Sequence, residues 1–404
     1  MWVDAFNDGI KSRAQVEKLV ADAHRANLNV LIVQVRKRGD AYFNRADETR
    51  ALDIVGSRGF DPLSYLIELA HASRPRIEVH AWLNTFFVGE TSGVYVKHAD
   101  WVNRTNDGAR GGFLDPAIPD VQAYTHKVFV DVALNYDVDG LHMDFVRYPG
   151  INWGYTSASL NQYAHDSGAS GVPAPDDAKW QAWRRDRVTA FVRDLHDDLQ
   201  QKKPSVKLSG ALICFGGGPA NLANWWRTSA YSSVFQDWAD WLLKGYVDFG
   251  VPMNYDSEWI GREKAWFDGW LAFEKDSGFA NRVVTGMGAF LNYPDDSLAE
   301  IRRVLAPSAR GNRVLGVAFY SYAATSVYGN SDFYNSPDLY SGLPRQPYAG
   351  GITTGAGLDA RAQMFNDAFM TQLSHAANYT DVQLGVVHTQ PVFTLPAELP
   401  PLPS

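Results

Sequence analysis

Apolar residues along the chain gather into eight short runs of β character, at 1–6, 29–36, 78–86, 139–145, 205–215, 247–255, 282–291 and 314–322. Each is followed by an amphipathic stretch with helical spacing or by a long connection. The helical stretches lie at 11–26, 62–73, 118–136, 177–201, 232–243, 259–275 and 296–305. In 177–201 the residues Trp180, Trp183, Val188, Phe191, Val192 and Leu195 recur near helical spacing among Arg and Asp, the stripe of a helix laid on a core. Successive β runs start between 28 and 66 residues apart. That leaves room for a helix in every gap, so the strands are expected to pair in parallel.

Eight such repeats predict an α/β fold, a (β/α)8 TIM barrel with elaborated βα loops after strands two to four, where the gaps are longest. A doubly wound open sheet is the alternative, but its Gly-rich dinucleotide fingerprint is missing. Residues 1–330 are expected to hold the catalytic barrel core. Residues 331–388 should complete it with a last helix at 359–373, and 389–404, with five prolines, reads as an extended tail or linker.

Period-two alternation then sorts side chains between the two faces of each strand. In Asp139-Gly140-Leu141-His142-Met143-Asp144-Phe145-Val146-Arg147-Tyr148-Pro149 the apolar set Leu141, Met143 and Phe145 should meet the helices. His142 and Asp144 should then face the barrel interior. Asp144 falls at the carboxyl end of strand four, the end where barrel active sites lie. A carboxylate aimed into a barrel is costly unless it is solvated, paired or functional. The structural alternative for Asp144 is a buried pair with Arg147 or Arg36. The same alternation places Trp2 with Asp4 in strand one and Gln34 with Arg36 in strand two, with Arg38 and Asp40 following at the mouth. Strand three offers His80, Trp82 and Asn84, and strand six brings Asn254 and Asp256 to its carboxyl end. The run Asn135-x-Asp137-x-Asp139-Gly140 mimics the front of a calcium loop, but its twelfth position is Val146 and its second half is a strand.

Composition narrows the chemistry. Thirty-seven Lys and Arg against 45 Asp and Glu give a net charge of −8, unsuited to nucleic acid or an anionic membrane surface as the main partner. No apolar run has the length of a spanning helix. A single cysteine, Cys214, excludes an internal disulfide and any multi-cysteine metal site. The opening Met1-Trp2-Val3-Asp4 has neither the charged nor the apolar region of a signal peptide. Aromatics are in excess, with 13 Trp, 19 Tyr and 21 Phe, which fits a large core and also a cleft for flat apolar sugar faces. Trp82, Tyr148, Trp153, Trp225, Trp226, Tyr255, Trp259 and Tyr293 lie in or after strands three to seven and are candidate platforms. Trp225-Trp226 leads, because a loop has little core to fill.

Several of these stretches together resemble the glycoside-hydrolase-like family 10. They are Gln34-Val35-Arg36-Lys37-Arg38-Gly39-Asp40-Ala41-Tyr42, Leu114-Asp115-Pro116 ahead of a helix, the strand-four motif 139–149, and Trp183-Arg184-Arg185-Asp186, in that order over residues 1–322. The resemblance implies a bacterial barrel that is secreted or held in the cell envelope. It also implies hydrolysis of glycosidic bonds in bacterial glycans, including peptidoglycan strands stripped of their peptides in some members. Some members carry two consecutive acids in the strand-four motif; here Phe145 follows Asp144.

Glycoside hydrolysis usually needs two carboxyl groups, one able to give a proton and one acting as base or nucleophile. Asp144 is the first. Strand seven carries no acid, so Asp256 on strand six is the leading partner, with Glu258 and Asp40 behind it; a pair on strands four and six resembles the arrangement of α-galactosidase-like barrels. Substrate contacts are expected from Asp4, Arg36, Arg38, Asp40, Trp82, Asn84, His142, Arg147, Tyr148, Trp225, Trp226, Asn254, Tyr255 and Trp259. The expected partner is a poly- or oligosaccharide, with no cofactor and no metal. Two alternatives stand beside this reading. One is a glycan-binding barrel without catalysis. The other is a metal-dependent deacetylase using His80, His142, Asp144 and Asp40, although the chain has no His-x-His or His-Glu-x-x-His motif.

Overall fold

The computed structural model describes residues 1–45 and 47–327, together with Met370 and Leu373. Eight strands form one sheet in chain order: β1 Trp2–Val3, β2 Val30–Arg36, β3 Glu78–Asn84, β4 Gly140–Asp144, β5 Lys207–Ile213, β6 Phe249–Asn254, β7 Val284–Gly288 and β8 Gly316–Tyr320. Every ladder between neighbours is parallel. Between β8 and β1 there is no regular ladder, but the Tyr322 N–H donates to the Trp2 carbonyl at 2.9 Å and draws the sheet round into a nearly closed barrel. All eight expected strands are present, and the fold is the expected TIM-type barrel.

Around it stand α1 Arg13–Arg25, α2 Pro62–Ala72, α3 Pro119–Asn135, α4 Ala178–Lys202, α5 Trp238–Lys244, α6 Gly261–Asp276 and α7 Pro294–Leu305. Ser12, Asp61 and Asp177 cap α1, α2 and α4 by accepting first-turn N–H groups. One expected helix differs. The stretch 232–243 is broken by Phe235 at φ 60, so α5 begins only at Trp238 and a separate turn of helix occupies Ser229–Ser232. The long connections after β2 and β3 carry small sheets of their own, Asp40–Ala41 with Thr49–Arg50 and Val102–Arg104 with Arg110–Leu114; that after β4 carries a helix, Ser157–Ser167. The last helix expected at 359–373 and the tail at 389–404 lie outside the described residues, apart from the buried Met370 and Leu373.

Two apolar layers follow from the alternation. Leu31, Val33 and Val35 of β2, with Val79, Ala81 and Leu83 of β3, pack outward in the shell that meets the helices. Trp2, Ile32, Trp82, Val251 and Ala318 fill the barrel interior, joined by Phe249, Met253, Tyr255 and Tyr320. Large rings fit there because facing positions are small. A Cβ on Gly286 would sit 2.6 Å from the Trp2 ring, and one on Gly140 would meet His80 at 2.2 Å. Among the described residues no helix is long and apolar enough to cross a membrane.

Candidate active site

The carboxyl ends of the strands open on a cavity of about 720 Å³. Its floor is Trp2, Gln34, Trp82 and Tyr320 from β1, β2, β3 and β8. Its walls include Asp144, Phe145 and Arg147 after β4, Ile213 to Gly216 at β5, and Met253, Tyr255 and Asp256 at β6, with Glu263 and Trp266 from α6. Beneath the floor the Trp2 indole donates to His142 Nε2 at 3.1 Å, and His142 Nδ1 lies 2.9 Å from Ser209 Oγ. Those partners fix the Nδ1–H tautomer, and burial with the neighbouring His80 pushes the His142 pKa down to about 3. His142 therefore supports Trp2 as a neutral ring and is not in the cavity wall.

Asp144 ends β4 and is 8% exposed. Burial raises its pKa to about 6, while the Arg147 charge, the Phe145 N–H at 2.6 Å from Oδ1 and the Trp82 indole pull the other way. Phe145 reaches that position by taking the left-handed conformation, φ 50, unusual for a bulky residue and costing about 1–3 kcal/mol. The turn it makes aims Arg147 back into the cavity. Asp256 is 6% exposed, and its Oδ2 has no hydrogen-bond partner among the described residues. Burial, followed by the nearby Glu263, lifts its pKa to about 7. Glu263 is held by its Oε2 accepting the Ser257 N–H at 2.9 Å.

Of the residues expected at the site, Asp144, Asp256, Trp82, Arg147 and Tyr255 line this cavity. Others lie elsewhere for identifiable reasons. A bulge between Gln34 and Arg36 sets Gln34 opposite Trp82 but Arg36 opposite the outward-facing Leu83. Arg36 thus turns away from the barrel, and its Nε bonds both oxygens of the buried Glu48 at 2.9 and 2.7 Å. Asn84 binds the Gln34 amide, the Trp82 indole and the Lys37 carbonyl, so it braces the floor residues and does not line the cavity. Asn254 faces outward from β6 and donates to the Phe267 carbonyl, because Met253 and Tyr255 hold the inward register. Tyr148 is fully buried behind the wall, its hydroxyl on Asp115.

Glu258 is not in the wall: Arg303 clasps both its oxygens at 2.8 and 2.6 Å and Lys264 adds a second cation. Asp40 accepts the N–H groups of Lys37 and Arg38 and shapes that turn. Asp4 does the same for Phe6 and Asn7. Trp225, read as a platform, is 6% exposed, gives its indole N–H to Asp237 at 2.6 Å and packs against Trp238 and Phe273. Trp226 is exposed on the loop, Trp259 is tied to the Leu291 carbonyl, and Arg38 lies over the Phe6 ring; none of the three lines the cavity. The residues weighed as metal ligands do not converge, since His80 meets Glu78, His142 meets Ser209 and Asp40 serves its turn. Among the described residues no group of three His, Cys, Asp or Glu side chains is placed to hold an ion.

Sequence reasoning passed over Phe6, Phe215, Glu263, Trp266 and Tyr320, and it noted Trp2, Gln34 and Cys214 without assigning them to the site. It set Phe145 on the helix side with Leu141 and Met143, but the left-handed turn at Phe145 ends the alternation and leaves that ring in the cavity wall. Alternation carried into strand eight, Gly316-Val317-Ala318-Phe319-Tyr320, reaches Tyr320. Glu263 and Trp266 sit on a helix and leave no strand signal.

Comparison with known proteins agrees with the barrel. A family described as glycosyl hydrolase-like 10 matches residues 2–270. The chain is 27% identical over 278 residues to the glycosyl hydrolase YngK of Bacillus subtilis, covering 62% of this chain and 50% of that protein. It is 24% identical over 283 residues to the glycosyl hydrolase DigH of Escherichia coli, covering 61% and 58%. The chain thus spans little more than half the length of these relatives. The glycoside hydrolase domain of PgaB (BpsB) from Bordetella bronchiseptica superposes with a TM-score of 0.55 at 14% identity, covering 81% of this chain and 91% of that domain. An α-L-fucosidase from Paenibacillus thiaminolyticus does so with a TM-score of 0.55 at 15% identity, covering 79% and 46%. At such identities the likeness is one of fold.

Proposed function

Since the chain belongs to the glycosyl hydrolase-like 10 family, we propose that it hydrolyses O-glycosidic bonds of a bacterial or extracellular polysaccharide, with Asp144 and Asp256 as its two carboxyl groups. The observation that carries this reading is that both acids are buried, both have raised pKa values, and both line one cavity at the carboxyl end of the barrel. Asp256, the higher of the two and with a free Oδ2, holds a proton near neutral pH and gives it to the departing glycosidic oxygen. Asp144, whose charged form is favoured by Arg147, Phe145 N–H and Trp82, is the ionised partner that attacks the anomeric carbon or activates a water. Trp2, Trp82, Tyr255 and Tyr320 offer apolar faces to the sugar and lower the local dielectric, which keeps both acids tuned. Action on an amino-sugar glycan such as peptide-free peptidoglycan, outside the cytoplasm, is the substrate and setting proposed.

The test is product analysis by mass spectrometry after incubation with a panel of bacterial glycans, peptide-free peptidoglycan among them. The intact chain should release shortened glycans, and Asp144→Asn should bind but not cleave. Asp256→Asn should regain turnover only on aryl glycosides whose leaving group needs no proton. Full activity in Asp144→Asn overturns the assignment. Binding without turnover in the intact chain would instead support the glycan-binding barrel.

A further inference from the structure

Two exposed aromatic rings stand at the cavity rim, and the structure holds each of them there. Phe6, in the loop after β1, is 49% exposed, and Phe215, two residues beyond the end of β5, is 58% exposed; both line the cavity. The Phe6 loop is pinned by the buried Asp4, which accepts the N–H groups of Phe6 and Asn7 at 2.9 and 3.0 Å. Lys11 and Lys37 bond the Phe6 and Ala5 carbonyls. The Phe215 loop is clamped as firmly. The Trp270 indole donates to the Gly216 carbonyl at 2.7 Å, and Gly218 lies so close to α6 that a Cβ there would meet the backbone of Gly269 and Trp270 at 2.4–2.7 Å. Neither ring is exposed because its loop is loose.

In an eight-stranded barrel β1 and β5 face each other, with three strands between them on either side. Asp144, after β4, and Asp256, after β6, flank β5 on opposite sides. A line from Phe6 to Phe215 therefore crosses the mouth with one carboxyl on each side of it.

We propose that Phe6 and Phe215 are sugar platforms at the two ends of a glycan chain laid across the barrel mouth, so that cleavage falls within the chain. The proposal rests on the glycosidase reading and names the substrate form, a polymer occupying sites on both sides of the scissile bond. An exposed phenyl ring with a rigid support suits the apolar face of a pyranose, and loses little freedom when a sugar stacks on it. Arg38 and Lys37 already lie over the Phe6 ring, at 5.0 and 5.5 Å from its centre, so there the sugar takes the half of the ring surface that stays exposed.

Chain length provides the test. Peptide-free peptidoglycan fragments and chitin oligosaccharides, each graded from two to ten sugars, are titrated against hydrolysis-dead Asp144→Asn, alone and combined with Phe6→Ala or Phe215→Ala. Affinity for at least one series should rise with length in the parent, and each alanine should cut affinity for the long members about tenfold. Phe6→Trp and Phe215→Trp should restore the rise. In the active chain, products should come from internal cleavage. An unchanged length dependence in both alanine variants, no rescue by tryptophan, products from chain ends only, or no binding of either series overturns the proposal. Retained turnover in Asp144→Asn would sink the catalytic assignment instead, leaving the binding result to stand by itself.

Discussion

Asp144 and Asp256 enter one cavity from strands β4 and β6, and burial holds both carboxyls above the usual aspartate range, to about 6 and about 7. If Asp144 works ionised and Asp256 works protonated, kcat/KM should follow a narrow bell. It falls below about pH 6 as Asp144 takes a proton and above about pH 7 as Asp256 loses one. A pH–rate profile of the free enzyme checks this, the limbs being read as apparent values of the pair. Asp256→Asn should lose the alkaline limb on an activated aryl glycoside. A flat profile from pH 5 to 8 contradicts the roles.

Arg147 should act on the acid limb alone. Its charge favours ionised Asp144 although no ion pair joins the two, and burial in turn lowers the Arg147 pKa. Arg147→Met keeps most of the apolar stem and removes the charge. The Asp144 pKa should then rise, so the acid limb should move to higher pH while the alkaline limb stays where it is. A fall in rate at every pH with unmoved limbs would assign Arg147 to substrate contact only.

The barrel was legible in the chain because eight parallel strands, buried on both faces and separated by helices, leave a strong repeating signal. Asp144 was legible for a related reason: alternation through Leu141, His142 and Met143 leaves it inward at a strand end. Alternation failed in two ways. At β2 a bulge broke the ladder and turned Arg36 outward. At β6 the ladder is regular, but its inward phase belongs to Val251, Met253 and Tyr255, which puts Asn254 on the helix side. Trp225 misled because the loop that carries it is itself packed on α5 and α6. Glu258 looked available from its spacing, and only the fold brings Arg303 across from α7 to take it.

The Arg36–Glu48 pair belongs to stability. Both side chains are buried, Arg36 also reaches the Asn84 and Thr85 carbonyls, and Tyr124 bonds the Glu48 carboxylate. Arg36→Ala leaves Glu48 buried without its cation, a loss of about 3–5 kcal/mol. Urea denaturation should show that drop in both Arg36→Ala and Glu48→Ala. The double variant should lose less than the sum of the two, because each single change already breaks the pair. Affinity for glycan in the fraction that remains folded should stay close to that of the parent. A selective rise in KM with unchanged stability would return Arg36 to the substrate.

Asp256 should make the protein less stable than it could be. A carboxyl whose pKa is raised on folding binds its proton more tightly in the native state. Its stabilising share is therefore complete below the unfolded value of 3.8 and drains away as pH rises through about 7. At pH 8 the group is a buried charge with an oxygen that no described residue bonds, beside Glu263. Asp256→Asn removes that charge and keeps the shape, so it should raise unfolding free energy at pH 8 by about 2 kcal/mol and by much less at pH 4. Denaturant titrations at the two pH values measure the difference directly. The gain should come with lost turnover on natural glycans, since the feature that destabilises the fold is the one that keeps a proton available at neutral pH. Equal stability of variant and parent at pH 8 would mean that the Asp256 carboxyl is solvated in the folded protein, and the proton-donor role would fall with it.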